Sequence, residues 1–324
     1  MPDIVTIGES LIDFLSTRRG VLMEETTGFT IAPGGAPANV AAAISKLGGS
    51  SGFIGKVGTD SFGVMIRNTL MEVGVDVDQL IMDKSVNTTL AFISVKPNGE
   101  PDFVFYRNHC GADLALKQDE IESGYIENAK VLHFGSISFT GEPLRSATIR
   151  AIDIARRSGK IVSFDPNLRP SLWESLHDAK VEIERGLHYA DIVKLTDTEL
   201  ELITETNSLS RGTDMILKYG PCMVFVTRGK EPCYFKSGNV AFEYPTFETQ
   251  LVDATGAGDA FMGGVLLRLN ERLQGDKPVS SLRKEEAESI LRFANACGAI
   301  TVTRKGVIPA LPTMDEAQRF LQKH

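Results

Sequence analysis

Val131-Leu132-His133-Phe134, Ile161-Val162-Ser163-Phe164, Asp191-Ile192-Val193-Lys194-Leu195 and Met223-Val224-Phe225-Val226-Thr227 are apolar runs of strand length, and helical patterns at 142–158, 177–189 and 209–219 separate them. Strands that are apolar on both faces and alternate with helices read as a parallel sheet covered on its two sides. The fold class is therefore α/β, a three-layer α/β/α arrangement with a mainly parallel central sheet. Ligands of such sheets settle beyond the carboxyl ends of the strands, so the polar residues that follow each strand carry the search for function.

Toward the N-terminus the alternation continues. Ile4-Val5-Thr6-Ile7 is a short strand closed by Gly8, followed by strand-forming stretches at 11–15 and 29–32. Gly34-Gly35-Ala36-Pro37-Ala38-Asn39 opens an alanine-rich helix over 40–47 that Gly48-Gly49 ends, and a strand at 51–57 and a helix at 60–73 come next. Between 88 and 107 the pattern changes: runs at 90–95 and 103–106 flank Asn98-Gly99, a hairpin turn signal. This is an antiparallel insertion in a parallel fold. The expected organisation is a main domain of 1–13, 34–85 and 111–324 with a small β lid of 14–33 and 86–110. Beyond 227, helices are expected at 257–272, 284–302 and 314–323, with an extended segment at 304–311. The 274–281 loop is linker-like but too close to the next helix to bound a domain.

Composition narrows the function. The chain has 324 residues, 42% hydrophobic and 23% charged, the balance of an ordinary globular protein. A formal net charge of -8 without any Lys/Arg run argues against a nucleic-acid partner. The four cysteines, Cys110, Cys222, Cys233 and Cys297, form no C-x-x-C pair and meet no His at zinc spacing, so a reduced, cytoplasmic protein is expected. Glu9 and Asp13 interrupt the N-terminal apolar stretch, which reads as a first strand and not a signal peptide. No run approaches the ~20 apolar residues of a membrane helix.

The chemistry concentrates in Asp253-Ala254-Thr255-Gly256-Ala257-Gly258-Asp259-Ala260-Phe261, which runs directly into a helix. Two glycines at a helix start leave backbone amides uncovered, and the helix dipole adds positive potential there: an anion site. No Walker A sequence and no G-x-G-x-x-G is present. A carboxylate inside an anion-binding turn would repel a phosphate, so Asp259 is expected to handle a proton, or else simply to cap the helix. Elsewhere, Gly34-Gly35 lets backbone approach a ligand, or forms a tight turn with Asn39 as cap. Asp13 is either an exposed strand-end carboxylate that can accept from two ligand hydroxyls or a solvated turn residue.

The nonapeptide resembles the C-terminal signature of the ribokinase-like (phosphofructokinase-B type) carbohydrate kinases, and Gly34 to Ala41 resembles their N-terminal signature. The two in this order are far more specific than either alone, and the resemblance covers essentially the whole chain. It implies an ATP-dependent sugar kinase in which Gly256, Ala257 and Gly258 form the anion hole and Asp259 is the base. Asp13, Gly34, Gly35 and Asn39 match positions that contact the sugar. Phe105-Tyr106-Arg107-Asn108 and the 164–173 segment, with Asp165, Asn167 and Arg169, resemble fructokinase sequences, so Tyr106, Arg107, Asp165 and Arg169 join the acceptor list. Arg107 could instead be a surface charge, and Asp165 and Asn167 turn residues.

For the nucleotide, the resemblance implies Lys194, Thr227, Gly229 and Asn295, with Glu199 organising water around Mg2+; packing, capping and dipole roles are the alternatives for these residues. Thr196 stands where the family usually has Asn. Asp253 and Thr255, with 304–306, resemble a potassium site, although Ala310 replaces a serine that some relatives carry. Fructose is the expected acceptor. The rivals are a 2-keto-3-deoxygluconate kinase, in which the Arg107 and Arg169 pair would hold a carboxylate, a ribokinase, and an inactive sugar-binding regulator. A homodimer formed through the lid is also expected.

Overall fold

The computed structural model describes residues 1–18, 20–97, 101–107, 111–273 and 279–324. The Asn98-Gly99 turn, Asn108, Cys110 and residues 274–278 of the linker-like loop lie outside the described residues. In chain order the main elements are β1 (Ile4–Ile7), β2 (Leu11–Ser16), β3 (Phe29–Gly34), α1 (Ala36–Lys46), β4 (Ser51–Gly58), α2 (Ser61–Glu72), β5 (Leu80–Asp83), β6 (Leu90–Val95), β7 (Pro101–Tyr106), α3 (Ser123–Glu127), β8 (Val131–Gly135) and α4 (Leu144–Arg157). They continue with β9 (Ile161–Asp165), α5 (Leu176–Tyr189), β10 (Ile192–Thr196), α6 (Asp197–Thr204), α7 (Leu209–Leu217), β11 (Met223–Arg228), β12 (Glu231–Ser237), β13 (Val240–Tyr244), α8 (Ala257–Leu273), α9 (Lys284–Thr301) and α10 (Met314–Lys323).

Nine strands form one sheet in the order β13-β12-β11-β10-β9-β8-β1-β4-β5. Every pair from β11 to β5 is parallel, and β12 and β13 add an antiparallel edge. One core packs on each side of this sheet. Phe134, Phe164, Ile152 and Leu187 fill one, and Phe225, Phe235, Val265 and Leu291 the other, which is why the strands read as unbroken apolar runs. The second sheet, β3-β2-β6-β7, joins β2 to β6 in parallel, with antiparallel pairs outside it. Phe14 and Phe92 stack in it at 4.6 Å between centroids.

Three expectations need correction. The 304–311 segment is not extended; it turns and ends in a short 3-10 helix at Ile308–Ala310, where Pro309 pre-sets the backbone. Strands β5, β12 and β13 lie outside the expected set: β5 and β13 are edge strands with partly exposed residues, and β12, paired between β13 and β11, carries Glu231, Pro232, Lys236 and Ser237 in its run, so none shows the unbroken apolar signal. Asp13 is not an exposed carboxylate closing β1 but lies inside β2, paired with Ala32 and Ala91 and only 7% exposed.

The helix packing that matters for function is the crossing of α1 on α8. A Cβ at Gly263 would come within 2.6 Å of the Ala43 Cβ, and one at Gly264 within 3.1 Å of the Ala294 Cα in α9. Consecutive bare positions thus let α8 approach α1 on one face and α9 on the other. Close approach here carries the first turns of α1 and α8 together.

Candidate active site

The first turn of α8 is the chemical centre. The Ala257 amide reaches the Ala254 carbonyl at 3.3 Å, and that of Ala260 reaches the Gly256 carbonyl at 2.8 Å. Among the described residues, no acceptor is found for the amides of Gly256, Gly258 and Asp259. Of the three amides expected in the anion hole, those of Gly256 and Gly258 are bare and that of Ala257 is partly spent. Behind the turn stands a cation: a Cβ on Gly258 would lie 3.0 Å from the Lys194 Nζ. A side chain at 258 would therefore occupy the space between an incoming anion and that ammonium.

Lys194 projects from β10, and its Nζ donates to the Asp165 Oδ2 at 2.9 Å. The register places them side by side, since Val193 faces Phe164 across the strand pair. Burial works against the Lys194 charge, but Asp165, Glu199 and Asp259 more than offset it and hold the ammonium above its ordinary value. Nearby, His133 shares its Nδ1 with the Ser163 hydroxyl at 3.0 Å. Burial, then Lys194, push the imidazole down to about 3, so it stays neutral at physiological pH.

Asp259 is buried, and burial raises its pKa to about 6, with Asp165 adding to the rise. The Asn39 hydrogen bond, Lys194 and Arg169 oppose the shift. The Asn39 Nδ2 donates to the Asp259 Oδ2 at 2.8 Å, and the Asn167 Nδ2 approaches Oδ1 at 3.4 Å. The Asn39 Oδ1 is buried with no partner among the described residues, an acceptor available to a ligand hydroxyl. Asp13 joins this group electrostatically: burial lifts its pKa to about 7, against the pull of Arg169 and with the push of Asp259 and Asp253. Gly34 is required beside it, because a Cβ there would meet the Asp13 Oδ2 at 2.1 Å.

The two arginines differ. Arg169 lies in the site, attracting Asp13 and Asp259, and its guanidinium sits 5.4 Å from the Phe103 ring centroid of the small sheet. Arg107 is buried in a network instead. Its Nε and Nη2 hold the Asp113 Oδ2 at 2.7 Å and its Nη1 meets the Thr140 hydroxyl. Asp113 also accepts from the Thr89 hydroxyl. Tyr106 is 61% exposed and packs its ring edge-on to Phe92.

At the start of α6, Glu199 closes a capping box. Its Oε2 accepts from the Thr196 amide and hydroxyl, and its Oε1 from the Leu168 amide. Thr227, next to last in β11, puts its hydroxyl on the Leu195 carbonyl, and Gly229 follows the strand in a left-handed turn at φ 60°. The Asn295 Nδ2 donates to the Pro245 carbonyl at 2.9 Å. Asp253 folds the loop before α8: Oδ1 takes the Thr255 amide and hydroxyl, and Oδ2 the Gly306 amide at 3.4 Å. Sequence reasoning passed over two participants, Glu9 and Asp113. The signal for both was a lone carboxylate inside an otherwise apolar, small-residue stretch.

Known proteins share both the sequence and the fold of this chain. A model of the "pfkB family carbohydrate kinase" family matches residues 1–314. Fructokinase-1 of Zea mays is 44% identical over 99% of the chain and 98% of its own length. The fructokinase of Xylella fastidiosa with bound ATP superposes with a TM-score of 0.88 at 32% identity, covering 100% of this chain and 99% of that one. A double mutant of the fructokinase of Vibrio cholerae O395 holding fructose, ADP and potassium gives a TM-score of 0.86 at 32% identity, covering 98% of each.

Proposed function

Since the chain belongs to the pfkB family of carbohydrate kinases, we propose that it transfers the terminal phosphoryl group of ATP to D-fructose, giving fructose 6-phosphate and ADP. The observation that carries the reading is the placement of the Asp259 carboxylate at the head of α8, between bare amides on one side and Asn39 on the other. The amides of Gly256 and Gly258, with Lys194 behind them, would hold the phosphoryl oxygens where charge accumulates. Asp259 would take the proton of the attacking hydroxyl as the O–P bond forms. Its shift from 3.8 to about 6 makes it roughly a hundredfold stronger as a base while leaving it mostly ionised at neutral pH.

On this reading Asp13, Gly34, Gly35, Asn39, Asp165 and Arg169 form the acceptor side. Tyr106 borders it from a lid proposed over 14–33 and 86–110, whose small sheet reaches back to Leu11 and on to Gly34, while the remainder of 1–13, 34–85 and 111–324 forms the main domain. Lys194, Glu199, Thr227, Gly229 and Asn295 form the nucleotide side. Lid closure would keep water from competing for the phosphoryl group. The donor set fits a magnesium ion held chiefly by nucleotide phosphates and water. Among the described residues no three His, Cys, Asp or Glu side chains gather around one point, and both Glu199 oxygens are already engaged, so Glu199 would act through water. Bound Mg2+ would neutralise charge on the phosphates. Potassium would sit among carbonyls of the 253–255 and 304–306 segments, which Asp253 ties together.

Arg107 supports a neutral acceptor over an acidic one. Its guanidinium is already committed to Asp113 and Thr140, so a sugar carboxylate would find only Arg169 of the expected pair. Among the described residues no helix is long and apolar enough to cross a membrane; the scattered cysteines, without any C-x-x-C pair, favour a reduced compartment, and we place the enzyme in the cytoplasm. Pairing of two copies through the lid is supported by the exposed Ile31 and Val104 on its strands. The test is a panel of acceptors with MgATP. Fructose should exceed ribose and 2-keto-3-deoxygluconate at least tenfold in kcat/KM; preference for the acid sugar refutes fructose, and no turnover with any acceptor refutes the kinase.

A further inference from the structure

Helix α1 begins without a cap of its own. Its N-cap is Gly35, which has no side chain to offer and sits at φ 106°, a backbone conformation that L side chains rarely adopt. A helix start with bare amides next to a sugar site would be a second anion site. It is not one, because Glu9, from the β1–β2 connection, reaches across. Its Oε1 accepts the Ala36 amide at 2.9 Å. The same connection grips the turn at two further points. The Ser10 hydroxyl donates to the Gly34 carbonyl at 3.2 Å, and a Cβ on Gly35 would lie 2.4 Å from the Glu9 carbonyl oxygen.

We propose that Glu9 is a positioning residue that caps α1 in place of Gly35 and thereby sets where Asn39 meets Asp259 and the acceptor. The capped turn leads, one helical turn on, to Asn39, whose own amide bonds the Gly35 carbonyl at 2.9 Å and whose Nδ2 holds Asp259. Loosening residue 36 frees Gly35, and with it the first rung of the helix that carries Asn39. Glu9 also bears on the small sheet, since Arg107 at the end of β7 attracts its carboxyl and Asp113 repels it. Burial, the largest influence, raises the Glu9 pKa to about 7, against its backbone hydrogen bonds and Arg107. Its Oε2 is buried with no partner among the described residues, so Oε1 carries the link from this carboxyl to the start of α1.

The inference rests on the acceptor side proposed above, and its experiment separates the two. Glu9→Ala and Glu9→Gln are compared with the parent for KM of fructose, KM of ATP and kcat. Gln keeps an oxygen for the Ala36 amide; Ala does not. Glu9→Ala should raise the fructose KM at least fivefold and lower kcat, with the ATP KM within twofold, and Glu9→Gln should restore fructose KM to within threefold of the parent. Equal damage in both variants, a parallel rise in ATP KM, or parent-like kinetics in Glu9→Ala each overturn the proposal. Should Glu9→Ala not fold, hydrogen exchange of the Ala36 amide in the parent decides: protection supports the bond, and exchange at the free-peptide rate overturns it. A parent that turns over no sugar at all refutes the acceptor site itself, whatever the variants do.

Discussion

Replacing Asn39 by Ala separates two roles that one side chain could fill. The Asn39 Nδ2 donates to a buried, ionised Asp259 at 2.8 Å. A hydrogen bond to a charged group contributes about 1.5–3 kcal/mol. Water entering the vacated space returns part of that, and a net loss of ~1.4 kcal/mol corresponds to a tenfold change in proton affinity. The base, with a parent pKa of about 6, would then titrate near 7. At pH 6 the ionised fraction falls from about one half to about one tenth, a fivefold loss, whereas at pH 8.5 this cause removes almost nothing. The assay is kcat against pH from 5.5 to 9 with saturating substrates for both proteins. An acid limb displaced upward by about one pH unit is expected. If the limb stays in place and only the plateau drops, Asn39 serves the sugar alone and does not tune Asp259.

Asp13→Asn tests the buried carboxyl through stability. The unfolded chain ionises Asp13 near 3.8 and the folded one near 7, so between these values the unfolded state has lost its proton first. Parent stability therefore falls as pH rises through that window and levels off above it, by up to about 4 kcal/mol from this group. Urea unfolding at pH 4.5 and pH 8 should show Asp13→Asn gaining on the parent at the higher pH while its fructose KM rises; a pH-independent difference contradicts the assigned burial. Gly263→Ala probes the helix crossing. Its methyl would press on Ala43 at 2.6 Å, so a loss of about 1–3 kcal/mol in stability and a lower kcat are expected. Parent-like values in both would show that α1 and α8 can separate without disturbing the Asn39–Asp259 contact.

The sheet was legible because its interior strands are covered on both faces and so carry apolar residues at every position. The polar exceptions inside those runs, His133, Ser163 and Lys194, were visible as exceptions, and Lys194 and Asp165 prove to be neighbours in register. The hairpin of β12 and β13 was not legible, since no residue of β13 is fully buried and β12 mixes Glu231, Pro232, Lys236 and Ser237 into its run. Arg107 was legible as an arginine but not as a committed one: its partner Asp113 lies past the end of β7, where nothing in the spacing announces a return. Glu9 shows the same limit more sharply. Its partner Ala36 is distant in sequence and contributes only a backbone amide, which leaves no trace in side-chain chemistry.

The two helices that meet at the site are built alike and treated oppositely. Both begin at glycines, and both point uncovered amides toward one region. At α1 a buried carboxyl occupies the first amide, which weakens the local potential and disfavours a phosphate there. At α8 the amides of Gly256 and Gly258 are bare and a lysine stands behind them, which deepens the potential. A substrate with one anionic end and one neutral polyol therefore has only one favourable orientation along the line from Gly258 to Asn39. Asp259 lies on that line and is bonded from the polyol side. The direction of transfer thus follows from which helix start has its first amide taken by Glu9 and which has bare amides backed by Lys194, a distinction that the glycine-rich sequences of the two turns do not by themselves display.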